Sequence, residues 1–508
     1  MSELTLARLR HDGQAFTEEI SRESYLAHSG HKLVAELTPI YERYAHVLGP
    51  EALELTVEMF RNSEKGTDEH RSARYLLEWE LESQASRSLA KIDEAEIELE
   101  GSAYVETSEG RRVQYQAAAI EIANERNRTE RLALDAARAA FVEREHAPLR
   151  LERLKREKEF IESVELASDY NSAFEKLTGI SLPALAADCA SFLSDTQSMW
   201  DDTLPRFLKL ALGIKPSEAT RSDALALLRA SDFDASFPGA AMQASVRRQL
   251  TEMNIDPDAG GRIIYDLTDR QGKRSRAFCA PTRVPQEVYL VLRPHGGQTD
   301  YTTLLHESGH ALHFANARDD YPFEFRWLGD NSVTEAYAML FDHRMQDRDW
   351  LLRYTEVGKG RISSYLRLAG FEELHYLRRY CAKLIYEVEV YSRDGEWRDL
   401  PELYVDTLTK ATTFQYHVAD AFVDFDPGYY SARYLRAWQL QSLINESLVS
   451  TFNIDWFRNP AAGPWLTREL FSEGQRETAE EIAARVSPGG EKLSFAPLIR
   501  SIETLLES

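Results

Sequence analysis

The stretch Thr303-Leu304-Leu305-His306-Glu307-Ser308-Gly309-His310-Ala311-Leu312-His313 decides how the rest of this chain is read. Pro294-His295-Gly296-Gly297 breaks the pattern before it, Thr299 or Asp300 is placed to cap a helix, and that helix is predicted to run through Ala315. His306 and His310, four residues apart, then project about 40° from one another around the helix axis, so their imidazoles converge. Glu307 lies beside them and faces the same cleft. This is the H-E-x-x-H pattern, in which two imidazoles hold a zinc ion and the glutamate acts as general base.

A hydrolytic zinc site needs a third protein donor and an open position for water. The metzincin pattern would put glycine at 313 and histidine at 316, but those positions hold His313 and Asn316. The next helix offers a carboxylate instead: Glu335 stands 25 residues after His310 in Ser332-Val333-Thr334-Glu335-Ala336. The same glutamate completes a Ser332-x-x-Glu335 capping box, so ligand and cap are both open readings. Asp342, two turns further along the same face, is a candidate acceptor for the outer N–H of a ligand imidazole, with a surface aspartate as the alternative. His313 is expected behind the ligands or in the core, because a further histidine ligand would close the site.

Composition sets the frame around this motif. The chain has 508 residues, 43% hydrophobic and 28% charged, enough to bury a large core. With 60 basic against 83 acidic residues its net charge is −23, which disfavours nucleic acid and anionic membranes as partners. Cys189, Cys279 and Cys381 are too few and too scattered for a disulfide framework or a thiolate zinc site, and read as buried apolar residues in a reducing compartment. Without an apolar leader or a run of about 18 apolar residues, the expected location is the cytoplasm. Nothing in the sequence sets an oligomeric state.

Residues 1–235 read as helix after helix, a helical N-terminal lobe, and 236–508 as the catalytic region. Arg111 to Val164 is dense in paired charges and interrupted at Pro148, which predicts a long solvated helical hairpin without a ligand site. The one strand cluster is Arg262–Leu267, Ala277–Cys279 and Gln286–Leu292, directly before the motif helix. The fold class is therefore mostly α with one small β-sheet preceding that helix.

The motif with Glu335-Ala336 downstream resembles the thimet oligopeptidase and oligoendopeptidase F family of zinc peptidases, of the gluzincin type. Gly272-Lys273-Arg274-Ser275-Arg276-Ala277-Phe278-Cys279 resembles the family's turn and strand before the site. Gly428-Tyr429 and Trp438 resemble its tyrosine-bearing substrate segment, and Phe457-Arg458, Pro488-Gly489-Gly490 and Leu498-Ile499 its closing helices. The resemblance implies a two-lobed helical zincin-like peptidase with a deep central channel and one zinc ion per chain, held by His306, His310 and Glu335. Glu307 would be the base, and the activity hydrolysis of short unstructured peptides by an oligoendopeptidase. Extended substrate would pair with a strand edge, at Gln286–Leu292 or Ala277–Cys279.

One segment departs from that pattern. Where the family has a histidine and two further tyrosines, this chain has Asp424, Arg433 and Arg436. Tyr429 is then the first candidate for the oxyanion donor, with Tyr430 and Tyr434 as an alternative i, i+4 pair and His417 as a stand-in for the histidine. Arg433 and Arg436 suit a substrate's C-terminal carboxylate, which makes a zinc carboxypeptidase or dipeptidyl-carboxypeptidase the alternative activity. Their other reading is an exposed helix pairing with Asp424 and Asp426. A catalytically weakened peptide-binding protein on the same fold is the remaining alternative.

Overall fold

Apolar residues recur at helical spacing through most of the chain, and a computed structural model shows the corresponding succession of helices. It describes residues 4–32, 34–274, 276–393, 397–487 and 489–508. Ser275 and Pro488, both in the motifs above, lie outside the described residues. The helices used below are α1 (Leu6–His28), α2 (Asp68–Ser102), α3 (Tyr115–Asn124), α4 (Arg128–Phe141), α5 (Ala147–Ser163), α6 (Gln298–Asn316), α7 (Asn331–Asp342), α8 (Ile362–Ser392) and α9 (Tyr430–Phe452). No single helix among the described residues is long and apolar enough to cross a membrane.

The chain divides into two compact units, each assembled from three separate segments. The first takes the chain up to Gln84, Phe233–Tyr365 and Arg436–Leu498; the second takes Ala85–Asp232, Leu366–Leu435 and Ile499–Ser508. One passage between them, at Asp232/Phe233, falls beside the 235/236 boundary expected from sequence, and others fall within α2, α8 and α9.

In the first unit, α1 and the start of α2 bury Leu9, Phe16, Leu76 and Trp79 against Phe323. Its sheet has the order β3 (Ile263–Asp266), β5 (Glu287–Val291), β4 (Phe278–Arg283), with β3 parallel and β4 antiparallel to β5. The expectation that Gln286–Leu292 offers a free edge is therefore corrected: β5 is central and has both sides paired, whereas β4 is an outer strand. α1 packs on β4, where the Ser21 hydroxyl donates to the Pro281 carbonyl at 2.8 Å. The turn before β4 is anchored by Lys273, whose buried ammonium donates to the Asp266 and Thr268 carbonyls at 2.7 and 2.9 Å.

In the second unit, the predicted hairpin over Arg111–Val164 does not form as one piece. A two-stranded antiparallel sheet, β1 (Tyr104–Glu106) with β2 (Arg112–Gln114), was not foreseen, and it leads into α3. Asn127 then caps α4, accepting from the Thr129 amide, and breaks the helix between Asn124 and Arg128. A π-helical turn, Val142–His146, joins α4 to α5 without a break in the helical backbone, and Pro148 follows directly after it, so the regular α-helical pattern is interrupted just before the proline while the helix runs on. Nor is the charge run all solvated. Buried Arg131 pairs with Asp223 at 2.6 Å, and buried Arg138 pairs with Asp420 at 2.8 Å and Asp135 at 3.1 Å.

Candidate active site

The motif helix starts earlier than its sequence suggests. Gly297, at φ 93°, precedes Gln298 at the N-terminus of α6, and neither Thr299 nor Asp300 caps it. Asp300 instead turns back and accepts from the His295 and Gly296 amides, both at 2.6 Å, which fixes the approach from the sheet. Leu304, Leu305, Ala311 and Leu312 are buried, so one face of α6 is anchored in the core.

The glycine inside the motif has a packing reason. A Cβ on Gly309 would lie 2.5 Å from the Ala338 Cα and 2.6 Å from the Tyr337 carbonyl oxygen, so only glycine lets α6 and α7 approach this closely. That contact carries Glu335 to the two histidines. The cap of α7 is Asp330, whose carboxylate accepts from the Ser332 amide at 3.0 Å, and this removes the capping-box reading of Glu335.

His306, His310 and Glu335 meet at one point, their candidate ligand atoms all within 4.8 Å of one another. Glu335 Oε2 lies 3.4 Å from His306 Nε2 and 3.6 Å from His310 Nε2. The far side of each ring is held. His306 Nδ1 is 2.8 Å from Asp342 Oδ2, and His310 Nδ1 is 2.8 Å from the Thr334 hydroxyl. Orientation of this kind leaves both Nε2 atoms directed at the shared point. Burial alone would raise the Glu335 carboxyl, but His310 and His306 outweigh it and hold the group well below the usual carboxylate range. For His306 burial opposes the charged form, and Asp342 and Glu335 overcome it and raise the imidazole. Two nitrogens and a carboxylate oxygen, mostly buried and already oriented, are a donor set that suits a divalent ion such as zinc.

Glu307 sits on the same helix, 9% exposed, directly after His306 and three residues before His310. Cys279 on β4 is near it: burial raises the thiol, and the Glu307 charge adds to the effect. Cys279 is only half-buried, whereas Cys189 and Cys381 are buried as expected. His313 is fully buried, its Nε2 2.9 Å from the Gly474 carbonyl and its ring packed on Tyr337, and burial pushes its pKa down to about 4. It belongs to the core behind α6.

The tyrosine and arginine candidates divide. Tyr429 is corrected: it is completely buried in the second unit among Tyr170, Phe174 and Tyr391, and its hydroxyl donates to Asn171, which leaves it nothing to offer a substrate. Arg436 is corrected as well. Its buried guanidinium donates to Asp330 at 3.0 Å, Ser332 at 2.7 Å and Glu480 at 3.0 Å, so it anchors the cap of α7 and does not await a carboxylate. Tyr430 and Tyr434 pack edge to face, centroids 5.0 Å apart and half-buried, at the start of α9, and Arg433 on the same turn is buried. Asp424 and Asp426 are engaged by Arg379 and by Lys383, and Arg436 pairs with Asp330 and Glu480 instead of with them as the exposed-helix reading expected. His417 is held by Asp135 at 3.2 Å.

Thr334 and His343 are the residues the sequence reading missed. His343 Nδ1 lies 2.6 Å from Asp342 Oδ1, so Asp342 stands between two histidines. Both positions flank residues already singled out, Glu335 and Asp342, and that adjacency was the available signal. Among the described residues a second group, Glu96, Glu100 and His146, also gathers ligand atoms within 4.8 Å, and of these only His146 comes from the Arg111–Val164 stretch expected to hold no ligand site. There, however, Arg150 lies 3.3 Å from both Glu96 oxygens and His146 is 2.7 Å from Glu96, so the carboxylate is already neutralised by ion pairing.

No family model and no curated protein matches the chain. Among solved structures, 147 chains do. One, described as the BsuCP crystal structure, superposes with a TM-score of 0.59 at 14% identity, covering 98% of this chain and 97% of its own. Another, an M32 carboxypeptidase from Deinococcus radiodurans R1, gives 0.62 at 13% identity and covers 99% of both chains. The oligoendopeptidase resemblance thus remains an expectation from sequence, while the mostly helical fold with small sheets is shared with these two structures over nearly the whole chain.

Proposed function

We propose that this chain is a zinc metallopeptidase that shortens small unstructured peptides from their C-terminus. The observation that carries the reading is the convergence of His306, His310 and Glu335 with Glu307 alongside on the same helix. His306 and His310, through Nε2, and Glu335, through Oε2, would hold one zinc ion. When bound, zinc supplies Lewis acidity, lowering the pKa of water in the site towards neutrality and polarising a peptide carbonyl. Glu307 takes the proton from the attacking water on its carboxylate and returns it to the departing amine, so the C–N bond breaks without a free amide anion. Asp342 and Thr334 keep the two imidazoles in the tautomer that presents Nε2.

The preference for C-terminal trimming over internal cleavage is supported by the fold, since one structure sharing it along 99% of the chain is described as a carboxypeptidase. Arg436 is committed to Asp330 and Glu480; a guanidinium fork suits a substrate carboxylate and a phenol a developing oxyanion, and in this proposal Arg433 takes the first role and Tyr430 or Tyr434 the second.

Mass spectrometry of peptides prepared in pairs, free acid and C-terminal amide, tests this with the zinc-loaded protein and with Glu307→Gln. Stepwise shortening of the free acids alone, absent in the variant, is the expected result. Internal cleavage of both members of each pair would restore the oligoendopeptidase expectation, and release of dipeptides the dipeptidyl-carboxypeptidase one. Binding without any cleavage would leave a peptide-binding protein.

A further inference from the structure

Asp342 is the last residue of α7, and His343 follows it directly as the C-cap. The two carboxylate oxygens of Asp342 have separate partners: Oδ2 is 2.8 Å from His306 Nδ1, and Oδ1 is 2.6 Å from His343 Nδ1. An ionised carboxylate can only accept, so both rings carry their proton on Nδ1. A carboxylate engaged at one oxygen only can swing about its terminal torsion, which is broad for aspartate. Engagement at both ends fixes its plane. The His343 side chain is 11% exposed, so the contact is sheltered from solvent. The other ligand imidazole has a simpler support, the Thr334 hydroxyl at 2.8 Å.

We propose that His343 is a positioning residue for the metal site, holding the plane of the Asp342 carboxylate so that His306 presents Nε2 to the ion. The proposal rests on the zinc-site reading above. It concerns binding of the ion, so it can be tested without peptide turnover.

The measurement is zinc affinity of the full chain, by competition with a chromogenic chelator, together with the visible absorption of the cobalt-substituted protein and the unfolding midpoint of the zinc-free form. His343→Ala is expected to weaken zinc binding about tenfold and to alter the cobalt bands, while the zinc-free midpoint stays put. His343→Asn, whose side-chain N–H occupies roughly the place of Nδ1, should recover affinity to within about threefold of the parent, and His343→Gln, whose donor reaches too far, should not. Should the alanine variant fail to fold, the asparagine and glutamine pair carries the comparison. Equal affinity in the parent and the alanine variant, or in the asparagine and glutamine variants, overturns the role of His343 while leaving the zinc site intact. A parent protein that binds no zinc overturns both.

Discussion

Two polar-rich regions of this chain use their hydrogen-bonding capacity in opposite ways. Between His306 and Asp342 the outer atoms are tied down and the inner ones are left facing one another: Asp342 and Thr334 take the Nδ1 atoms, and two Nε2 atoms and a carboxylate oxygen remain about one point. Between Asp424 and Arg436 the polar groups consume one another. Asp424 accepts from Tyr404 at 2.7 Å and from Arg379, Asp426 pairs with Lys383 at 2.7 Å, Tyr429 donates to Asn171, and Arg436 holds Asp330 and Glu480. Residue type is thus a poor guide to a site. What distinguishes the first region is the direction in which its remaining lone pairs point.

That contrast is most sharply tested at its two centres. Glu307→Gln should lower peptide turnover about a thousandfold while zinc content and peptide binding persist, because only the proton acceptor is removed. Zinc loss in that variant would mean that Glu307 supports the ligands instead. Arg436→Ala should act on stability, costing about 3 to 5 kcal/mol in denaturant unfolding, since it leaves the Asp330 charge buried and unpaired. Arg436 holds the Asp330 carboxyl below its ordinary value against the opposing effect of burial. A carboxyl with a depressed folded pKa adds stability that is fully present above the unfolded pKa and is lost as the pH falls towards the folded one. The variant should therefore unfold at a higher pH during acidification than the parent does. A variant of normal stability that no longer distinguishes free from amidated peptides would return Arg436 to the substrate site.

The same contrast explains what could be read from sequence. His306, Glu307 and His310 lie within one and a half turns of one helix, so helical geometry alone brings them together. Glu335 and Asp342 required one further step, a neighbouring helix in contact, and Gly309 was present in the motif to permit it. The fate of Tyr429 and Arg436 turned on Asn171, Asp330 and Glu480, up to 258 residues away, and no local period encodes such partners. β1 and β2 were missed for a related reason: three-residue strands are too short to show an alternation against the helix-forming residues on either side. The central place of β5 in the sheet is likewise a matter of topology and not of composition.

Gly309→Ala probes the helix contact itself. Its new methyl would meet backbone atoms of α7 at 2.5 and 2.6 Å, so the helices must separate. Overpacking of this kind should cost about 2 kcal/mol by calorimetry. Because Glu335 rides on α7, zinc affinity should fall together with stability. A stable variant with parental zinc affinity would show that the triad tolerates a shift of α7, and that the glycine is not what sets its geometry.

The smallest expected effect belongs to Tyr429→Phe. The hydroxyl donation to Asn171 is lost, with its long second contact to the Glu387 carbonyl at 3.5 Å, and the ring keeps its packing against Phe174 and Tyr391, so the cost should be about 1 kcal/mol in unfolding, the usual worth of a neutral hydrogen bond. Asn171 retains its own donation to the Val388 carbonyl at 3.2 Å, which limits the loss. Turnover should stay within about twofold of the parent, since a buried phenol contributes nothing to an oxyanion. Replacing Tyr430 or Tyr434 by phenylalanine provides the internal control: a fall in turnover there without a fall in stability would place the oxyanion donor one or five residues beyond Tyr429. If instead Tyr429→Phe alone abolished turnover at unchanged stability, its hydroxyl would have to leave Asn171 during catalysis, and the division between a region that presents its polar atoms and one that consumes them would no longer hold.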